Sequence, residues 1–275
     1  MATDRLGTAS ATVLGGIGAA VGGLLGGGSG VIYVPALDRL TTLPRAVLHG
    51  TSAAANIAVC LVGPVVFALG GGGVDLRSGS GLMLGSVIGG FFGAKLLTRL
   101  PETLLRVLFL AVLLVTGTKL FLDAFGLDPS GGAALFSQQL LAELWFVLPL
   151  ATVTGVLIGA WAGAMGLGGG LLAVPALVLL FGTDLHTAEG TSLLMFLPTS
   201  IVSTVVHLRQ GTADGRLSVL LNLGAVPGAI AGALLALALS GTVLSLVFGT
   251  FAIAMAIREL FAMRRAPAVS APHPR

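Results

Sequence analysis

The stretch GGIGAAVGGLLGGGSGVIYVPAL, residues 15–37, returns 140 positions later as GVLIGAWAGAMGLGGGLLAVPAL, residues 155–177. Gly15, Gly23, Gly26, Gly28 and Gly30 fall on Gly155, Gly163, Gly166, Gly168 and Gly170. Val34-Pro35-Ala36-Leu37 falls on Val174-Pro175-Ala176-Leu177. With no gap, Gly50-Thr51-Ser52 then meets Gly190-Thr191-Ser192. After one residue of slippage Asp75 and Arg77 meet Asp214 and Arg216, and Gly85, Gly89 and Gly93 meet Gly224, Gly228 and Gly232. The repeated unit spans nearly the whole chain. Tandem apolar repeats of this kind are the usual sequence sign of a transporter fold, with the solute held between the copies.

Composition places those repeats in lipid. The chain has 275 residues, 55% of them hydrophobic and 9% charged, against about 25% charged in a soluble domain. So few charges cannot build a water-facing surface. The 42 glycines exclude a dry leucine bundle; in lipid, glycine permits close helix approach and marks broken helices. The net charge of +3 is spread along the chain, and no basic cluster or aromatic platform suggests nucleic acid. Cys60 is the single cysteine, so an intrachain disulfide and a cysteine metal cluster are excluded. No catalytic constellation, metal-ligand spacing or dinucleotide fingerprint is present, so neither an enzyme nor a cofactor is expected.

Apolar runs long enough to span a bilayer cover roughly 8–37, 46–69, 78–98 and 103–125, then roughly 144–181, 188–208, 217–239 and 241–262. This predicts a first transmembrane repeat over 1–125, a linker over 126–143, a second repeat over 144–263, and a cytoplasmic tail over 264–275. The first element of each repeat is too long for one span and too short for two. Each glycine costs about 1 kcal/mol relative to alanine inside a helix, so the clusters at 26–30 and 166–170 should break it. Each is read as helix, glycine bend, second short helix.

Charge placement favours the re-entrant form of this reading. If all eight elements crossed once, Arg39, Arg45, Lys95, Arg99 and Arg106 would lie on one side and nine basic residues on the other. If the first and fifth elements dip in and return, only Arg77 and Lys119 lie opposite the other twelve. The positive-inside rule prefers the second arrangement. The fold class expected is therefore an all-α polytopic membrane protein of two inverted repeats. Each has about four helical elements, the first discontinuous at a glycine-rich bend. Both termini face the cytoplasm of a cell membrane.

Broken backbone at membrane depth must be covered by protein or water, so the bends should line a cavity. Helices starting at Gly30 and Gly170 would aim backbone N–H groups and positive dipole ends into it, which favours an anion. The candidate substrate-binding residues are Gly28, Ser29, Gly30, Thr51, Ser52 and Asn56 in the first repeat. Gly168, Gly169, Gly170, Thr191 and Ser192 are those of the second. Thr51-Ser52 and Thr191-Ser192 could also serve as helix caps. Asn56, a turn beyond Ser52 in an apolar run, needs a partner or a ligand. Ser200, Ser203 and Thr204 form a polar stripe. His49 and Glu189 share one repeat position and could couple transport to protons, or simply end helices. His186 and His207 read as loop-edge residues, and the Asp75/Arg77 and Asp214/Arg216 pairs as local salt bridges.

The paired glycine-rich segments ending in Val-Pro-Ala-Leu, each followed by Gly-Thr-Ser, resemble the TauE/SafE family of sulfite-exporter-like permeases. The resemblance implies transport of sulfite, sulfonates or related sulfur-containing anions, commonly outward. It carries the family motif onto Gly28, Ser29, Gly30, Gly168, Gly169 and Gly170, and onto Thr51, Ser52, Thr191 and Ser192. The first copy departs with Ser29 for Gly169 and Asp38-Arg39 for Val178-Leu179. The reading reached is a carrier for a small sulfur-containing anion such as sulfite, a sulfonate or sulfoacetate. It would export by alternating access as one half rocks against the other, and could associate as a homo-oligomer. An anion channel of the same fold and a non-transport membrane scaffold remain alternatives at this point.

Overall fold

The computed structural model describes residues 6–93, 102–127, 135–165 and 170–265. Its helices are α1 (Thr8–Leu24), α2 (Gly30–Leu40), α3 (Arg45–Leu69), α4 (Leu76–Ile88), α5 (Glu102–Ala124), α6 (Gln138–Ala142), α7 (Leu144–Met165), α8 (Gly170–Phe181), α9 (Leu185–Arg209), α10 (Gly215–Ala238) and α11 (Gly241–Arg265). One π-helical turn, Gly89–Gly93, continues α4. Among the described residues there is no strand. Among the described residues, six helices are long and apolar enough to cross a bilayer: α3, α5, α7, α9, α10 and α11. The chain is an all-α polytopic membrane protein.

The first element is broken as expected. α1 ends at Leu24, Gly26 and Gly28 take φ of +59° and +72°, and α2 begins at Gly30. Side chains rarely adopt these angles, so glycine is needed at both points. α2 then folds back along α1. The Tyr33 hydroxyl donates to the Gly15 carbonyl at 2.8 Å, and its ring fills the space a Cβ on Gly18 would occupy. Ala11 near the start of α1 and Leu37 near the end of α2 share one apolar cluster with Leu48, Leu217 and Leu221. The second break, with Gly168 and Gly169, lies at 166–169, outside the described residues. So does the expected tail from 266 onward, whereas Arg264 and Arg265 end α11.

Packing is reciprocal between the repeats. The first helix of each is seated on the fourth of the other: α1 on α10, and α7 on α4. Glycines make these seats. A Cβ on Gly224, Gly228 or Gly232 would collide with the carbonyls of Thr12, Gly16 and Ala20. The equivalent Gly85 and Gly89 abut the carbonyls of Thr152 and Val156. The stripe of Gly85 and Gly89 therefore packs helices within the chain. Without a hydrophobic drive between helices in lipid, close backbone approach is a main source of cohesion. Arg106 of α5 and Glu259 of α11 add an ion pair at 3.1 Å.

Two hydroxyls tie the repeats symmetrically. Thr51 Oγ1 of α3 accepts the Asp214 N–H at 2.9 Å, and Thr191 Oγ1 of α9 accepts the Asp75 N–H at 2.8 Å. Asp75 and Asp214 are the N-caps of α4 and α10. Asp75 accepts from the backbone of Arg77 and Ser78, and Asp214 accepts from Leu217. The expected local salt bridges are replaced by these caps, since an N-cap carboxylate satisfies orphan helix N–H groups at short range. The Arg77 guanidinium turns away to donate to the Ala142 carbonyl at 2.8 Å.

Gly224→Val should abolish recovery of folded protein from membranes, because it drives side-chain carbon into the Thr12 carbonyl. Gly241→Val, at a glycine with open space around it, should leave the yield unchanged. Thr51→Val and Thr191→Val should each lower the thermal midpoint in detergent by an amount matching about 1–3 kcal/mol for an unpaired buried N–H. Midpoints equal to the parent's would remove these bonds from the account of stability.

Candidate functional site

The helix crossing of α3 and α9 sets the site. Cys60 and Ser200, equivalent positions of the two repeats, meet there with Sγ and Oγ 3.9 Å apart. Around them is a cavity of about 610 Å³. Its walls take Gly27, Gly28 and Gly30 from the first bend and Gly170 from the start of α8. Ser52, Asn56 and Cys60 come from α3, Thr199, Ser200 and Ser203 from α9, and Gly90 and Phe91 from the π turn. π turns recur at functional sites because they shift the register of the side chains beyond them.

The first break and the start of α8 meet at this cavity. A Cβ on Gly170 would collide with the Gly27 backbone, so the start of α8 rests directly on the first bend. Asn56 holds that bend: its Oδ1 accepts both the Ser29 N–H and the Ser29 hydroxyl, each at 2.8 Å. Ser29 is thereby fully buried behind the wall. The second repeat has Gly169 and Phe196 at the positions equivalent to Ser29 and Asn56. One bend is braced by a polar pair, and an aromatic wall residue stands at the matching place. The departure of Ser29 from its repeat partner thus goes together with that of Asn56.

The expected site residues divide into three groups. Gly28, Gly30, Ser52, Asn56, Gly170 and His49 line the cavity. Thr51 and Thr191 lie inside helices and bond across the repeats, away from the lining. Ser192 and Glu189 are fully buried and not among the lining residues. Their polar side-chain atoms have no hydrogen-bond partner among the described residues.

Other residues of the site were not singled out from sequence. Thr199 lines the wall and its hydroxyl lies 2.8 Å from that of Ser86. His207, read as a loop-edge residue, stands with His49 and Gln210 at one end of the cavity, its Nδ1 2.8 Å from the Thr212 hydroxyl. Asn222 of α10 was missed altogether. Its amide accepts from Ala58 N–H and donates to the Ala54 carbonyl, each at 2.9 Å. Those are the two groups that an α-helix would pair with each other, so the amide pins α10 into the ladder of α3 beside the cavity. Ser200 belongs to the polar stripe read from the sequence; nothing local marks Asn222 apart from its being an amide in an apolar run.

Among the described residues no Lys or Arg lines the cavity. Its polar capacity consists of hydroxyls, the Asn56 amide, imidazoles at one end and the starts of two helices. Val87, Phe91, Phe196, Val202 and Val206 make the rest apolar.

The sulfite exporter TauE/SafE family model matches residues 2–120 and 151–275. A probable membrane transporter protein of Xylella fastidiosa (strain 9a5c) is 30% identical over 241 residues, 86% of this chain and 88% of that protein. The probable membrane transporter protein YdhB of Bacillus subtilis (strain 168) is 26% identical over 218 residues, 77% of this chain and 83% of its own length. No solved structure matches the chain. The family model and the relatives match both repeats: the chain belongs to the sulfite exporter TauE/SafE family of membrane proteins.

Proposed function

We propose that this protein is a carrier that exports a small sulfur-containing anion, such as sulfite, a sulfonate or sulfoacetate, by alternating access. The observation that carries the reading is the contact of Gly27 with Gly170 at the wall of one cavity. Two helix starts, at Gly30 and Gly170, thereby reach the same space. Helix N-termini stabilise anions through unpaired N–H groups and the helix dipole. The absence of lining Lys or Arg among the described residues suits a carrier, which must release what it binds. The names of the relatives as probable membrane transporters support the same reading.

The repeats are inverted copies in this reading. Support comes from the ends of the helices. Ala11, Leu37, Leu48 and Leu217 cluster at one end of the bundle, so the α1–α2 hairpin begins and ends there. At the other end, Arg77 reaches Ala142 just before α7, and Asp75 meets Thr191 near the start of α9. The cavity has His49, His207 and Gln210 toward the end where Arg45 and Arg209 lie. The positive-inside rule makes that end cytoplasmic. An anion loaded from there is driven outward by about 2.3 kcal/mol per charge per 100 mV of negative interior potential.

The moving bodies are composite. Glycine-to-backbone seats lock α1 to α10 and α7 to α4, so neither repeat moves as a unit. Rocking occurs between an α1–α2–α10 body and an α4–α7–α8 body, with α3 and α9 crossing between them. This replaces the simpler picture of one half sliding on the other.

Gly28→Leu tests the site. It forces a side chain into a φ of +72° beside the Asn56 amide. Sulfite or sulfoacetate efflux from proteoliposomes should fall at least about tenfold, with protein still inserted and monodisperse. Parent-like flux for every tested sulfur anion would remove the bend from the site. Single cysteines replacing Arg39 and Asp184, in a Cys60→Ser background, should react with an impermeant maleimide from opposite sides of oriented vesicles. Labelling from the same side would rule out the inverted arrangement.

A further inference from the structure

The second repeat holds a carboxyl that the cavity does not use. Glu189 stands where the first repeat has His49. His49 lines the cavity, while Glu189 is fully buried. Neither Glu189 oxygen has a hydrogen-bond partner among the described residues. One turn on, the buried Ser192 hydroxyl is also without one. Residues three apart share a helix face, so the two form one polar patch with nothing among the described residues to satisfy it.

That patch is enclosed by the first bend. A Cβ on Gly26 would lie 2.5 Å from Glu189 Cα and 2.9 Å from its Cγ. Beside it, Gly190 backs onto Phe67 and the Gly73 carbonyl, and Thr187 donates to the Gly72 carbonyl at 2.7 Å. These contacts close the end of the molecule opposite His49 and His207. Among the described residues, the charged and titratable groups around Glu189 offer no cationic partner. Asp184 caps α9 itself. From α4, the Asp75 carboxylate is engaged by its own helix start and Arg77 by Ala142. His186 bonds the Ala236 carbonyl of α10 at 3.0 Å. The described parts of α1 and α8 carry no charge, and on α3 Arg45 and His49 lie toward the cavity's open end.

An ionised carboxylate without partners in such a place costs several kcal/mol. The neutral acid costs far less and needs only local packing. We propose that Glu189 is a proton-binding site that keeps its end of the carrier shut: the carboxyl carries a proton while that end is sealed and gives it to water when that end opens. In that step the O–H bond breaks, the proton passes to a water molecule, and the carboxylate is left hydrated in the opened passage. Closing requires a proton back from the same side. Acid on that side therefore holds the carrier shut, and the shut fraction changes by up to about tenfold per pH unit for one linked proton. The inference rests on the alternating-access reading above.

Two measurements on full-length protein in lipid test it, neither requiring a known substrate. Infrared difference spectra at neutral pH should contain the carbonyl stretch of a neutral carboxylic acid that is missing from Glu189→Gln. A Ser192→Cys reporter in a Cys60→Ser background should react with an impermeant maleimide faster as pH rises. Divided by the rate in the same protein carrying Glu189→Gln, which cancels the thiol's own titration, the rate should rise by up to about tenfold per pH unit. Should Glu189→Gln not fold, Glu189→Ala serves as the carboxyl-free reference. Absence of the band, or a flat rate ratio across pH 5–9, overturns the proposal. Loss of sulfite flux with both signals intact would instead count against the transport reading alone.

Discussion

A backbone carbonyl or N–H left unpaired in hydrocarbon costs several kcal/mol, and this constraint organises the whole molecule. Breaking a helix at Gly26–Ser29 frees such groups at membrane depth. They can persist only if other protein covers them or water reaches them. Both solutions appear. Asn56 takes the Ser29 N–H, Gly170 rests on Gly27, and the remaining wall opens onto a cavity. The cavity is thus part of how the break is tolerated. A fold that breaks its first helix must build a polar space beside the break.

The same constraint explains why the repeats interlock. A helix broken and folded back on itself, as α1–α2 is, cannot shield itself from lipid. The first helix of each repeat is therefore laid against the fourth helix of the other. The seats need backbone-to-backbone contact, so glycine recurs at four-residue spacing through 85, 89, 224, 228 and 232. Thr51 and Thr191 complete the exchange by capping loops that belong to the opposite repeat. These hydroxyls are part of the frame, and their place beside Gly50 and Gly190 in the repeated motif reflects that. Ser52, one position on, faces the cavity instead. A helix turns about 100° per residue, so neighbours in one motif serve different purposes.

Much of this is legible in the sequence because it is periodic. Apolar run lengths matched the spans to within a few residues, and the glycine clusters aligned by the 140-residue offset marked the first break. Glycine clusters marked the first bend because no other residue type makes φ near +60° to +70° inexpensive. What stayed hidden was pairing in space. Asp75 and Arg77 look like a salt bridge by proximity, yet a helix start two residues away competes better for the carboxylate. Asn222 has no periodic partner in the first repeat, where Met83 stands near the equivalent position. Its role depends on which two groups of α3 lie opposite, and only the packed structure supplies that.

In the proposed carrier, the departures from repeat symmetry are where the two ends come to differ. A carrier with identical halves would have two ends of equal energy and no preferred resting state. Here the first bend is braced by Ser29 and Asn56, while Gly169 and Phe196 stand at the matching positions of the second repeat. The open end carries His49 and His207, while the closed end buries Glu189 and Ser192. A hydrophilic pair left unsatisfied in the closed state lowers the cost of opening that end, since water then solvates what protein did not. A braced first bend opposes the same motion. In the proposed cycle, the balance of these two differences sets which end is open at rest. Both lie on α3, α9 and the first bend, the surfaces that slide past one another in that cycle. The asymmetry is thus placed where it can bias the cycle without disturbing the glycine seats that hold each moving body together.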